Sequence, residues 1–161
     1  FSLSNKLKCL IINVGPGSYT ALRVGISFFL GLSISKKIPI KAITSYDLFH
    51  YSIDSDKINK TAIFLTSGNN QNFICLYDFK NKNYKISKFD QNFNLSKIVE
   101  NKITYIVSNS NLVTSYIKIE NIQYDEQSFK ELVLQNIESI LLLPNNEIIE
   151  PIYISNNKIL N

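Results

Sequence analysis

The sequence predicts an α/β fold arranged as two lobes, and three observations carry that prediction. Leu10, Ile11, Ile12 and Val14 form a nearly continuous apolar run that ends at Gly15-Pro16-Gly17, the pattern of a buried strand closed by a turn. Directly after the turn comes a long apolar segment with no proline and no acidic residue, which reads as a helix from about Ser18 to Lys37. Further on, strand-like runs at Thr61 to Leu65, Phe73 to Phe79 and Tyr84 to Phe89 are separated by polar turns, Ser67 to Asn72 and Lys80 to Asn83. They predict a three-stranded antiparallel meander.

The remaining elements follow in order. The first strand spans Leu7 to Val14. Ser18 or Thr20 can cap the helix after it, Lys36 and Lys37 suit its negative end, and Pro39 stops it. Ile40 to Ile43 reads as a short strand. Thr44 or Ser45 can cap a second helix reaching about Ser52. Asp54 to Lys60 is polar and looks like a linker. After the meander, Leu95 to Glu100 is a short helix and Tyr105 to Val107 a strand. Ser128 caps a helix to about Leu143, ended by Pro144, and the tail from Glu150 to Ile154 is extended. The expected organisation is a partial first lobe over residues 1–56 and a second lobe, β-β-β-α-β-α, over residues 57–161 with the extended tail.

Length and composition set bounds. A chain of 161 residues that is 45% hydrophobic can bury a sizeable core. The net charge of +4 divides as +5, +3 and −4 over residues 1–60, 61–120 and 121–161, with no block of like charges, so charge alone does not predict nucleic-acid binding. Cys9 and Cys75 stand 66 positions apart, which argues against a structural zinc or a disulfide framework and fits reduced thiols in the cytoplasm. The uncharged run Val24 to Ser35 is too short to span a bilayer, and no signal peptide is expected. The chain opens on Phe1 and enters a strand almost at once, so a preceding segment is expected.

The stretch Gly15, Pro16, Gly17, Ser18, Tyr19, Thr20, Ala21, Leu22, Arg23, Val24, Gly25 is the most informative in the chain. Arg23 is the only arginine beside sixteen lysines, which points to a planar, forked contact that an ammonium cannot make, with a carboxylate or carbonyl at the lobe junction or on a partner. A phosphate cradle fits poorly. No lysine follows the glycines, Thr20 stands at the third small position of a dinucleotide fingerprint, and Pro16 removes an N–H. A tight turn that needs glycine for its backbone angles is the simpler reading. The lone His50, among Leu48, Phe49 and Tyr51, reads as a packed residue rather than a general base. Triads and histidine-rich metal sites have almost no raw material, and no catalytic, cofactor-binding or metal-binding residue is expected.

The helix is apolar all round, so it must be covered all round. Leu22, Ile26, Phe29, Leu30 and Ser33 are the expected partner-facing residues, and Gly25, Ser27 and Gly31 would let a second helix approach closely. Each large side chain left in water forfeits about 1.5–3 kcal/mol. The competing cover is this chain's own preceding segment.

These residues closely resemble the G-P-G-S-[FY]-T-G-[LV]-R-[IV]-G signature of the bacterial TsaB family. Gly31-Leu32-Ser33, Thr44-Ser45-Tyr46-Asp47-Leu48 and Pro151-Ile152-Tyr153-Ile154 resemble later family stretches at suitable spacing. The resemblance implies an actin-like ATPase (ribonuclease H-like) fold whose first lobe is truncated here. It implies a non-catalytic scaffold that pairs with the catalytic paralogue TsaD, whose histidines bind the metal, and engages the ATPase TsaE. The assembly transfers a threonylcarbamoyl group to the tRNA adenosine beside the anticodon. tRNA is then reached through the complex, ATP and Mg²⁺ belong to the assembled complex rather than to this chain alone, two copies can pair when the partner is absent, and no membrane is involved. This sequence departs from the family at Ala21, at Thr66-Ser67-Gly68 in place of D-A-R, and at Ser155 in place of arginine. The alternatives are a metal-dependent peptidase or ATP-binding enzyme of the same superfamily, or a degenerate relative without the partnership.

Overall fold

The first strand–turn–helix unit forms as the local signals dictate. In the computed structural model, which describes residues 7–67, 71–90, 93–146, 148–155 and 158–160, strand β1 (Leu10–Asn13) leads through the glycine turn into helix α1 (Tyr19–Lys36) and back into β2 (Ile40–Ile43). The two strands pair in parallel, Leu10 opposite Ile40 and Asn13 opposite Ile43. Ser18 occupies the N-cap position of α1, but its side chain makes no capping bond, and Thr20 lies inside the helix. The other end closes as expected. Lys37 adopts the left-handed conformation (φ 54°), its N–H bonds the Ser33 carbonyl, and Pro39 follows. Helix α2 (Ser45–His50) is capped by Thr44, whose hydroxyl accepts the Asp47 N–H at 3.0 Å.

Residues 51–60 carry the chain, through a 3₁₀ turn at Ile58–Lys60, into a five-stranded sheet. Its members are β3 (Thr61–Ser67), β4 (Gln71–Asp78), β5 (Asn83–Phe89), β6 (Tyr105–Ser108) and β7 (Gln123–Glu126), in the order β5-β4-β3-β6-β7. The first three make the antiparallel meander, and β6 and β7 add to β3 in parallel. Helix α3 (Ser96–Glu100) precedes β6, and a single turn, α4 (Val113–Tyr116), precedes β7. Strand β7 was absent from the sequence expectation. Its residues, Gln123-Tyr124-Asp125-Glu126, carry no apolar alternation because only Tyr124 turns inward, and main-chain pairing to β6 holds the rest.

The central strand β3 is buried on both faces, which accounts for its unbroken apolar run. Ile63 and Leu65 face a core shared with Leu48 and Phe49 of α2, Ile43 of β2 and Leu132 and Ile140. Ala62 and Phe64 face the other core, with Ile98, Ile106, Val113 and Ile117. Because α2 packs on the second sheet, the two sheets are joined through a common core. The single helix expected over Ser128–Leu143 is two helices, α5 (Phe129–Gln135) and α6 (Ile137–Leu142). Asn136 leaves helical geometry (φ −111°, ψ 18°), and its main-chain N–H and side-chain amide both bond the Leu132 carbonyl, which closes α5 at that carbonyl. Ser128 and Glu131 form a full capping box at the start of α5, as the sequence indicated for Ser128.

The tail returns to the first sheet. Asn146 donates its N–H to Ile40 O and accepts the Ala42 N–H, closing the outer edge of β2, and Lys41 Nζ bonds the Leu143 carbonyl. Ile149 packs with Leu10, Ile12, Val14 and Ile26, and the Ile152 N–H bonds the Val14 carbonyl at 2.7 Å. Strands β8 (Tyr153–Ser155) and β9 (Lys158–Leu160) then pair as an antiparallel hairpin.

Candidate functional site: the glycine turn, helix α1 and the cleft beside them

The turn is held from three sides. Gly15 sits at φ +114°, and a Cβ there would stand 2.8 Å from the Ile152 carbonyl oxygen, so both backbone angle and close approach require glycine. Its N–H bonds Asn13 Oδ1 at 2.8 Å, and its carbonyl accepts the Ser45 N–H at 2.8 Å. Asn13 Nδ2 donates to Ser45 Oγ at 2.8 Å. Gly17 has no such requirement: a Cβ there would meet Leu22 at an ordinary 3.7 Å. The Gly15–Pro16 peptide is cis.

Within this chain Arg23 makes one hydrogen bond and one close ring contact in place of the forked contact the sequence suggested. Its Nε donates to the Tyr153 hydroxyl at 3.0 Å, and its guanidinium lies 4.0 Å from the centre of the Tyr19 ring. The two tyrosine rings are 4.7 Å apart. The bond to Tyr153 raises the arginine pKa above its ordinary value. Within this chain Arg23 therefore ties the returning tail to the first turn of the helix, with phenol rings where carboxylates or carbonyls were expected.

A cleft of about 240 Å³ lies between the two sheets. Pro16, Gly17, Ser18, Ala21 and Leu22 form one wall, Leu65, Thr66 and Ser67 the facing one, with Asn13, Ser45 and Phe129 between. Its polar lining consists of hydroxyls and a carboxamide. Thr66 is fixed through its backbone, which exchanges two hydrogen bonds with the Asn109 side chain at 2.7 and 2.8 Å, while its buried hydroxyl has no hydrogen-bond partner among the described residues. Of the departures at Thr66-Ser67-Gly68, Gly68 lies outside the described residues. Among the described residues no group of three or more His, Cys, Asp or Glu side chains converges as a metal site would.

The faces of α1 are the reverse of the expected assignment. Ile26 is only 5% exposed and packs on β1, and Phe29 and Leu30 pack into the same cluster. Leu22 covers the glycine turn, and the Ser33 hydroxyl bonds the Ile38 carbonyl at 2.6 Å. Ile26, Phe29 and Leu30 seat the helix on its own sheet, and Leu22 and Ser33 tie its two ends to the adjoining turns. The outward face carries Val24, Phe28 and Ile34, which are 65%, 66% and 77% exposed, with Ser27 and Gly31 between them. The sequence could not set this phase, because a helix that is apolar on every face has no polar stripe to mark its outside. Gly25 and Gly31 touch nothing that would exclude a Cβ.

Two α/β layers joined across a cleft, with a strand–turn–helix unit on its wall, define the class of the protein as the actin-like ATPase fold. The structure is similar to that of YeaZ from Pseudomonas aeruginosa, with a TM-score of 0.50 and 11% identity over 91% of this chain and 74% of that one. It is equally similar to an uncharacterized protein with similarity to peptidase YEAZ from Pseudomonas aeruginosa, with a TM-score of 0.50 and 11% identity over 92% and 74%. At that identity the likeness speaks for the fold. No curated protein shows a significant sequence match. Residues 3–140 match the family described as TsaD, tRNA N6-adenosine threonylcarbamoyltransferase, and the chain belongs to that family. Among the described residues no helix is long and apolar enough to cross a membrane.

Proposed function

We propose that this chain is a non-catalytic, TsaB-type subunit in threonylcarbamoyl modification of tRNA. It pairs with a catalytic paralogue of the TsaD type through the outward face of α1. One observation carries the reading. From Val24 to Ser35 the helix has no charged side chain, yet Val24, Phe28 and Ile34 point into solvent. Covering the exposed two-thirds to three-quarters of these three side chains stabilises an assembly by roughly 3–6 kcal/mol. Gly25 and Gly31 support it further. Each weakens a helix by about 0.5–1 kcal/mol relative to alanine, and neither makes an internal contact that a Cβ would disturb. A helix that keeps such residues on its exposed side and flank is suited to close approach by a second helix.

The cleft supports a scaffold role, because its lining offers hydroxyls and an amide where proton transfer or metal binding would use carboxylates and imidazoles. ATP and Mg²⁺, a TsaE-type ATPase and tRNA then belong to the assembled complex, which works in the cytoplasm. The test is reconstitution with the TsaD-type paralogue of the same genome. The wild-type chain should co-purify with it and support threonylcarbamoyl transfer to tRNA, while Phe28→Asp should abolish both and leave the circular dichroism spectrum unchanged. Pairing that survives both Phe28→Asp and Val24→Asp would overturn the assigned face. Turnover by this chain alone, or tight calorimetric binding of ATP with Mg²⁺, would favour the enzyme alternative.

A further inference from the structure

A second cavity, of about 290 Å³, opens where α2 meets the β4–β5 hairpin. Three phenol rings line it: Tyr46 from the first turn of α2, Tyr77 from the end of β4, and Tyr84, its cross-strand partner on β5. Tyr84 is buried and backs the other two rings, 5.6 Å from Tyr46 and 5.2 Å from Tyr77, centre to centre. His50 stacks on Tyr77 at 5.5 Å and its Nδ1 bonds the Tyr84 hydroxyl at 2.8 Å, which fixes both rings.

The Asp47 carboxylate shares this wall. Its Oδ2 accepts the Thr44 hydroxyl at 2.6 Å, and among the described residues no lysine or arginine pairs with it. Burial pushes its pKa up, against the bond from Thr44 and the nearby His50. Lys82, on the hairpin, lines the rim and is exposed.

A carboxylate that no lysine or arginine pairs among the described residues, set beside the Tyr46 and Tyr77 rings, matches one ligand class. Ring faces attract a positive charge and apolar ring surface accepts the alkyl groups beside it, while the carboxylate supplies the countercharge. We infer that this pocket binds an organic ammonium group, primary or quaternary, carried on a short alkyl chain, against Asp47 and over the half-buried Tyr46 and Tyr77 rings. The site is separate from the α1 face and does not depend on the pairing proposed above.

The experiment is an NMR titration of the whole chain, at neutral pH, read on the Tyr77, Tyr84 and His50 ring signals. The probes are choline, Nα-acetyl-lysine methylamide, and the uncharged isostere of choline in which carbon replaces the quaternary nitrogen. At least one cation should bind saturably and at least about tenfold more tightly than the isostere. Preference for choline identifies a free quaternary ammonium compound as the source, and preference for the lysine derivative identifies a protein side chain. Asp47→Asn, which keeps an acceptor for Thr44, should weaken the preferred cation by about tenfold or more. Tyr77→Leu should also weaken it, and Lys82→Ala should tighten it by removing a like charge from the rim. The inference is overturned if neither cation shifts these signals saturably. It is equally overturned if the isostere binds as well, or if both Asp47→Asn and Tyr77→Leu leave the affinity unchanged.

Discussion

Replacing Gly15 with alanine is the sharpest test of how the glycine turn is held. At φ +114° an L-residue carries strain of about 1–3 kcal/mol. The new Cβ would also stand 2.8 Å from the Ile152 carbonyl oxygen, which belongs to backbone and cannot rotate away. The tail must therefore move, and the 2.7 Å bond from the Ile152 N–H to the Val14 carbonyl is the first interaction lost, at a net cost of about 0.5–1.5 kcal/mol. Together these predict a destabilisation of roughly 2–4 kcal/mol. Urea unfolding followed by circular dichroism measures it, as a midpoint lowered by about 1–2 M. Hydrogen exchange localises it, since the Ile152 amide should lose protection before the amides of β3. Gly17→Ala is the internal control, because its Cβ meets Leu22 at a comfortable 3.7 Å, and it should stay within about 1 kcal/mol of wild type. If Gly15→Ala and Gly17→Ala unfold at the same urea concentration, the account of the turn as a three-way junction is wrong.

Three further outcomes are expected. Gly31→Ala should raise the stability of the isolated chain by about 0.5–1 kcal/mol, since nothing lies near its new methyl group, yet weaken co-purification with the TsaD-type paralogue. Arg23→Lys loses the Nε bond to Tyr153 and the stack on Tyr19, so the Tyr153 amide should exchange faster while the global unfolding midpoint barely moves; an unchanged exchange rate would sever the link between helix and tail. Asp78, held by Lys85 first and then by Asn81 and the turn amides, should titrate at about 2 instead of the ordinary 3.8. Because its folded pKa is depressed, the stabilisation it gives the β4–β5 hairpin is complete above the unfolded value of 3.8 and lost as the pH falls through about 2; Asp78→Asn should remove that acid dependence in a pH series of thermal melts.

Several parts of this molecule could be read without coordinates. The length of α1 with Pro39 behind it, the Thr44 and Ser128 caps and the β3–β4–β5 meander rest on interactions between residues close in sequence, and the position of the Gly15 turn is marked by its residue types even though Ser45 and Ile152 hold it. Other parts could not. Strand β7 is an edge strand whose backbone, not its side chains, holds it, so it leaves almost no period to detect. The break at Asn136 is a change of backbone angles at one residue, whose main-chain and side-chain N–H groups share the Leu132 carbonyl, within a segment whose pattern still reads as one helix.

The candidate site divides along the same line. Sequence alone marked the Gly15–Gly25 stretch, the unusual lone arginine and a helix too apolar to stand bare in water. It also carried the family resemblance, because a signature of consecutive residues survives whatever happens elsewhere in the chain. Only the tertiary structure decided which side of α1 faces outward, that Arg23 meets Tyr19 and Tyr153, and that the tail comes back to close the edge of β2. These are contacts between residues as many as 130 positions apart. A helix apolar on every side offers no phase from which to read its orientation, so the packing of Ile26 against β1 sets the rotation and leaves Val24, Phe28 and Ile34 for a partner.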